Sequence, residues 1–417
     1  MNRIPSRLVT AAGLALVLAA GGVRAAVPEV ANGPTPRDGA ETLPLEELWR
    51  VGGPDDEENL LGVVGGVLAD DDGNVYLLDL QLVEVQVFDA EGTFTRSLGQ
   101  RGDGPGELRF VVDALFMPDG SLGLVQPFPG KIVKVGLDGV PAGEVRPGGD
   151  PTNGGFFAVR SAASRGGEIV LSGTRIVRGE GTATMTHFVD HLGPEAVAGH
   201  PLLEKTNVRD FANRRVVESD EYFPHGNEWD LGPDGRVALV PERDAYRVAI
   251  FGADGAAQMA VTRRVAPLQR SAADKEEAKA GLMPWRRRGR EQLTIEVEDT
   301  APAIQRVRWG DDGRLWVLPA RGTREQPAGV HSTWDVFTPD GVFERQVAFA
   351  CDADGEQDAI FFPGGDLVVV VKQFKEALRA FQGRAGADDA EVDESTEPSP
   401  LEVVCYRLAP GVAAPRE

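Results

Sequence analysis

The sequence predicts an all-β fold built from repeated four-stranded units, and three observations predict it. First, six segments share one layout of apolar stretch, turn and second apolar stretch: "VLADDDGNVYLLD", "ALFMPDGSLGLVQ", "SAASRGGEIVLSG", "WDLGPDGRVALVP", "VRWGDDGRLWVLP" and "IFFPGGDLVVVV". They align on Gly73, Gly120, Gly167, Gly235, Gly313 and Gly365, each preceded by Asp or Gly. Such pairs favour the positive-φ hairpin turns whose twist matches that of the flanking strands. Second, the residues two and four after the glycine are apolar in all six segments, from Val75 and Leu77 to Leu367 and Val369. The column between them holds Tyr76, Gly123, Val170, Ala238, Trp316 and Val368, with no charge. A strand apolar on both faces is packed on both faces, so sheets stack face to face. Third, five segments lead into a second hairpin: "VFDAEGTF", "VGLDGVPA", "VDHLGPEA", "IFGADGAA" and "VFTPDGVF". Six units of about four strands each match radial stacking around a channel, which is a six-bladed β-propeller.

The sixth unit ends in the single strand "LEVVCYRLA" and lacks an outer partner. The stretch "LEELWRVGG", Leu45 to Gly53, has no partner of its own. It is expected to close the ring as the N-terminal strand of the last blade, which covers an open edge. The propeller is thus placed over residues 44–409, with a linker at 26–43 and a tail at 410–417. Two insertions interrupt it, at 201–226 and 266–303. In the second, "RSAADKEEAKAGLMP" predicts a helix capped by Ser271 with Asp274 and stopped by Gly281 and Pro284. The acidic, proline-bearing segment 385–400 reads as a disordered loop inside blade six.

The first residues, "MNRIPSRLVTAAGLALVLAAGGVRAAVPEV", have the three parts of an export signal. Arg3 and Arg7 open it, Leu8 to Gly22 form the apolar run, and Val23-Arg24-Ala25 offers a cleavage site. The run is short for a membrane span, and no Cys near the cleavage site suggests a lipid anchor. A signal peptide over 1–25 and a soluble mature protein, periplasmic or secreted, are expected. The formal net charge of −22 over 417 residues argues against nucleic acid, whose phosphates reward clustered Lys and Arg. It disfavours anionic lipid as well. Cys351 and Cys405 are the two cysteines. An exported compartment permits their pairing, but spacing alone does not show that they meet.

The combination "GNVYLLDLQLVEVQVFDAEG", "LGQRGDGPGELRF" and "LFMPDGSLGLV" resembles the loop-strand-turn-strand unit of NHL-type and related exported bacterial six-bladed β-propellers. "DDGRLWVLP" with "WDVFTPDG" resembles the same group, and blade three departs most from it. The resemblance implies the fold. It does not imply one activity, since such propellers host binding, lyase, lactonase and dehydrogenase roles.

The loop "GQRGDGPGEL", Gly99 to Leu108, invites comparison with a phosphate cradle. Pro105 deletes a donor in mid-loop, no Gly-Lys-Ser/Thr ending follows, and a strand rather than a helix comes next. The loop is read as a turn returning the chain to the channel, with Arg101 and Arg109 placed to meet an anionic ligand at the channel mouth. Six residues after each aligned glycine stand Asp79, Gln126, Gly173, Pro241, Pro319 and Val371. Of these, Asp79 and Gln126 carry usable oxygens, which is no ring of metal ligands. His187 and His191 are four apart, but in a strand-and-turn stretch where that interval does not converge on one ion. No G-x-S-x-G elbow occurs, and the run Arg286-Arg287-Arg288-Gly289-Arg290 reads as a solvated loop.

The expectation is therefore a non-catalytic binding or scaffold propeller recognising a protein, peptide or glycan, with no catalytic residue, metal or cofactor. Asp79, Arg101, Arg109 and Gln126 are its candidate ligand-binding residues. The alternative is a metal-dependent lyase or lactonase, in which Asp79, Gln126 and carboxylates of the insertions meet in the channel.

Overall fold

The computed structural model describes residues 27–54, 56, 58–148, 156–193, 198–210, 212, 215–282, 294–385, 400–409 and 414–417. Six sheets, each with a core of four antiparallel strands from inside outward, make a six-bladed β-propeller, and in blades one to five those four strands are consecutive. Blade one runs from Val64–Ala69 through Val75–Asp79 and Glu84–Phe88 to Phe94–Leu98. Blade two begins at Asp113–Phe116, blade three at Phe156–Arg165, blade four at Trp229–Leu231, blade five at Ile304–Gly310 and blade six at Ala359–Gly364. The six aligned glycines all have positive φ, between 63° and 86°, because each first hairpin turns through a left-handed residue that a Cβ would strain.

The doubly apolar second strands do what their pattern requires. Among the described residues the buried apolar side chains fall into six clusters, one at each interface between neighbouring blades. Six interfaces for six blades is the count of a closed ring; an open row would have five. At the sixth-to-first interface, Trp49 and Cys405 of blade six pack with Val75, Leu77 and Phe88 of blade one. Here Glu46–Gly52 pairs antiparallel with Glu402–Arg407, Trp49 opposite Cys405, as the outermost strand of blade six. Both cysteines are free thiols, Cys405 buried and Cys351 half-buried.

Several boundaries differ from the sequence reading. Residues 26–43 are not a plain linker, since Glu29–Asn32 and Ala40–Pro44 lie parallel along the outer edges of blades four and five. An outer strand leaves a row of unpaired N–H and C=O groups, and these two short strands cover it. Asn32 ties the two blades together: its Nδ2 donates to Thr262 O (3.1 Å) and Gly341 O (2.9 Å), and its Oδ1 accepts from Phe343 N (2.8 Å). Residues 414–417 are not a loose tail: Pro415–Arg416 pairs with the inner strand of blade five, inside the ring. The first half of the 201–226 segment continues Ala198–Asp210, the outer strand of blade three. That blade is the longest of the six, its second strand reaching eleven residues.

In the second insertion α2 (Ala272–Gly281) follows α1 (Glu218–Glu221), with Ser271 and Asp274 forming the expected capping box. A helix the sequence reading did not contain, α3 (Phe374–Ala385), leads into the acidic segment. The signal peptide, Pro284, the arginine run and all but the ends of 385–400 lie outside the described residues.

Strand alternation sorts the connections onto two faces. First-to-second and third-to-fourth connections are tight hairpins on one face. Second-to-third and blade-to-blade connections share the other, the loop face. All three helices therefore stand on the loop face, over blades four to six. Arg243 and Arg270 bind Glu218 in this region, Arg324 binds Asp274 at 2.7 Å, and Arg379 binds Glu277 at 3.0 Å.

Candidate functional site

The inner strands surround a channel of about 510 Å³, lined by residues from all six blades. Inner strands of neighbouring blades are not paired as sheet, so their ends carry backbone N–H groups that need acceptors from elsewhere. Buried carboxylates supply them. Asp113 of blade two accepts the Ser161 hydroxyl at 2.7 Å and the Ala162 N–H at 3.0 Å, both from blade three. Asp230 of blade four accepts the Trp309 N–H of blade five at 2.6 Å.

Arg306 and Arg308 of blade five hold Glu417, with Nε of Arg308 donating to Oε2 at 2.7 Å and Nη1 of Arg306 to Oε1 at 3.2 Å. Glu417 N in turn donates to Phe362 O of blade six at 2.7 Å. These charges splice the ring.

Their electrostatics follow from burial and pairing. Burial pushes Asp230 up to about 7, against the pull of Arg308. It also raises Asp113 despite three hydrogen bonds, and raises Glu228. Burial lowers Arg306 to about 10, whereas for Arg308 the attraction of Glu417 and Asp230 outweighs burial and the group is raised. Burial would raise Glu417 too, but the two arginines hold it below the usual carboxylate range.

Arg160 differs from all of these. It sits at a β-bulge in the inner strand of blade three, between Val159 and Ser161. It lines the channel, reaches water, and makes no ion pair or hydrogen bond among the described residues. The surrounding wall still excludes enough solvent to lower its guanidinium from the ordinary value. Beside it stand His187 and His225, Nδ1 to Nε2 at 3.0 Å, with Thr174 Oγ1 also 3.0 Å from His187 Nδ1. Burial lowers His187 to about 4 and His225 to about 3, so both are neutral at pH 7. Asn227 completes this corner. Its Oδ1 accepts from Arg308 Nη2 at 3.0 Å, which fixes the amide and leaves its NH2 group as a donor.

The four residues chosen from the sequence lie elsewhere, and none lines the channel. Asp79 is buried and accepts backbone N–H bonds from Gly62 (2.6 Å), Gln81 (2.9 Å) and Leu82 (2.8 Å). Gln126 repeats the role one blade on, its Oε1 accepting from Arg109 N at 3.0 Å. Both latch the incoming loop to the blade. Arg101 donates to Gln81 O at 3.0 Å, and Arg109 pairs with Asp103 at 2.6 Å, both exposed on the loop face of blades one and two. In the glycine-rich loop, Glu107 accepts from Gly104 N at 2.7 Å, so the loop's own carboxylate takes the cradle position.

The charged channel residues had a readable signal. Seven residues before each aligned glycine stand Gly66, Asp113, Arg160, Glu228, Arg306 and Asp358. Five of six are charged, on inner strands that should be core or one residue before them. Asp358 does not reach the channel, because the blade-six hairpin is two residues shorter and places Ile360 opposite Val370 where blade two has Asp113 opposite Val125.

A second feature marks the loop face of blades one to three. Leu60, Leu82, Phe110, Val112, Phe128, Phe156 and Val177 are all exposed there, from 39% at Val112 to 74% at Leu60. Phe128 and Phe156 touch, ring centroids 5.6 Å apart, and the Arg178 guanidinium lies over Phe156 at 4.8 Å. Val112 also lines the channel.

The fold and channel define the chain as a six-bladed β-propeller. No protein-family model matches it, and no curated protein matches its sequence. It is similar in fold to a DUF4221-family protein of Bacteroides vulgatus, at 11% identity and a TM-score of 0.47 over 88% of this chain and 98% of that one. A putative exported protein of Bacteroides fragilis gives 12% identity and 0.45, over 91% and 99%. Virginiamycin B lyase of Staphylococcus aureus gives 10% and 0.39, over 85% and 98%. Likeness at these values is one of fold and carries no activity. Among the described residues no helix is long and apolar enough to cross a membrane.

Proposed function

We propose that the protein is an exported binding propeller, of the NHL-type group that blades one and five resemble, and that it captures a peptide on the loop face of blades one to three. The supporting observation is the asymmetry of that face. Over blades four to six it carries three helices cross-linked by ion pairs. Over blades one to three seven large apolar side chains stand in water, and clustered exposure of this kind marks interaction surfaces. Aliphatic Leu60, Leu82, Val112 and Val177 among the phenylalanines favour apolar peptide side chains over a sugar ring, which would seek polar partners beside each aromatic. Arg101 and Arg109 flank this surface, while Asp79 and Gln126 hold its loops in place. The oxygens of Asp79 and Gln126 accept backbone N–H bonds, which weighs against their use as ligands in the metal-dependent alternative.

Panning displayed random peptides and printed glycans against the wild type and the double variant Phe128→Ser/Phe156→Ser tests the reading. The wild type is expected to enrich peptides with apolar cores, and the variant to lose them at least tenfold. Enrichment of glycans alone, or peptides held equally by both proteins, overturns it.

A further inference from the structure

The channel wall treats its charges in two ways. Asp113, Asp230, Arg306, Arg308 and Glu417 are bonded to groups of the neighbouring blade. Among the described residues Arg160 is bonded to nothing, although the bulge that carries it turns its side chain into the same channel. Bulges beside binding sites commonly re-aim a side chain in this way. An arginine that reaches water on a channel wall and has no counter-ion is open to a visiting anion. Its ionisable neighbours His187 and His225 are held neutral, and the wall's carboxylates Asp113, Asp230 and Glu417 are bonded to other groups. The Asn227 NH2 group adds a donor to the same lining.

We propose that Arg160, with Asn227, is a carboxylate-recognition site at the loop-face end of the channel, and that it takes the carboxylate of the peptide whose apolar side chains rest on Phe128 and Phe156. This rests on the peptide-binding reading and names the group that orients the peptide. Arg160 lies four residues along the strand from Phe156, about 13 Å, the reach of an extended tetrapeptide. The fork of an arginine binds a carboxylate bidentately, and such charge-assisted bonds are about twice as strong as neutral ones. Capture of a chain-end carboxylate is a recurrent mode of peptide recognition.

Calorimetry with three peptides tests it: Ac-Phe-Leu-Ala-Val with a free carboxylate, the same peptide as its amide, and Ac-Phe-Leu-Ala-Asp amide. The free acid is expected to bind at least tenfold tighter than the amide. The Asp peptide separates a terminal from a side-chain carboxylate: binding like the free acid assigns the carboxylate group in general, binding like the amide assigns the chain end. Arg160→Gln should make the acid and amide equal, and Arg160→Lys should keep a reduced preference. Neither variant should melt differently, because Arg160 bonds no other residue among those described. Equal binding of acid and amide to the wild type, or an acid preference that survives Arg160→Gln, overturns the inference. If acid and amide bind equally and both lose affinity in Phe128→Ser/Phe156→Ser, the peptide reading stands without it. If no peptide binds, both fall.

Discussion

Arg308 Nη2 lies 2.6 Å from Glu417 Oε2 inside the propeller channel, joining blade five to the segment that also bonds Phe362 of blade six. The two side chains are 10% and 13% exposed, so the pair is close to dry. Removing one member of such a pair leaves the other charged and uncompensated. Glu417→Ala is therefore expected to lose about 3–5 kcal/mol of stability, read as a lower urea midpoint. Glu417→Gln, which keeps an acceptor but no charge, should fall between. Unchanged midpoints for both would show that the arginines are satisfied by water.

Asp230 gives a pH dependence of definite sign. Its carboxyl is raised by burial to about 7 in the folded state against 3.8 as the ordinary value. The native protein thus holds more protons than the unfolded chain between these limits, and stability falls as pH rises from about 4 to 7. Asp230→Asn removes this contribution and keeps an oxygen for the Trp309 N–H. The Asn variant should melt close to wild type at pH 5 and above it at pH 8. A gap that does not widen with pH would refute the assignment.

His187 and His225 act in the opposite sense. Burial depresses both, to about 4 and about 3, from 6.5. Below pH 6.5 the unfolded chain takes up protons that the native pair refuses, so stability falls as pH drops from 6.5 toward 4. Glu221 raises His187 while Arg160, Lys205 and Arg209 lower it, and burial exceeds each. His225→Gln should flatten this acid limb relative to wild type in melting curves taken at half-unit steps. An equally steep limb in the variant would place the acid sensitivity elsewhere.

Asp79, chosen from the sequence as a ligand, is expected to behave as a latch. Asp79→Ala leaves the N–H groups of Gly62, Gln81 and Leu82 without their acceptor. The loss should be about 2–4 kcal/mol, read as a lower urea midpoint, with the acid-over-amide preference of the folded fraction kept. A variant of wild-type stability that has lost affinity would restore the ligand role.

What the sequence made legible, and what it hid, divides along physical lines. The columns at Val75 and Leu77 and their five equivalents are apolar because second strands are packed on both faces, so periodicity found the blades. The same count taken backward from the glycines meets Asp113, Arg160 and Arg306, charged residues on inner strands, and that departure from the core pattern is the channel's signature. The sequence points to Asp79 as an oxygen donor for a ligand at the channel mouth. Its direction, toward backbone rather than channel, depends on how Gly62 enters the blade, which no local pattern encodes. The edge strands at 29–32 and 40–44 escaped because their partners lie more than two hundred residues away and their half-polar sequences resemble linker.

Those edge strands carry the last prediction. Asn32 is the joint at which the first of them is fixed to blades four and five, through Thr262, Gly341 and Phe343. Asn32→Ala removes all three bonds and strands the Phe343 N–H, at a cost of about 1–2 kcal/mol. The cost should be local, since each interface between blades keeps its own apolar cluster. Limited proteolysis is therefore the informative measurement. The variant is expected to be cut between residues 27 and 44 well before wild type, while the remaining ring resists and melts only slightly lower. If the ring unfolds together with that segment, the two strands are part of its cooperative core and not a cover laid over its edges.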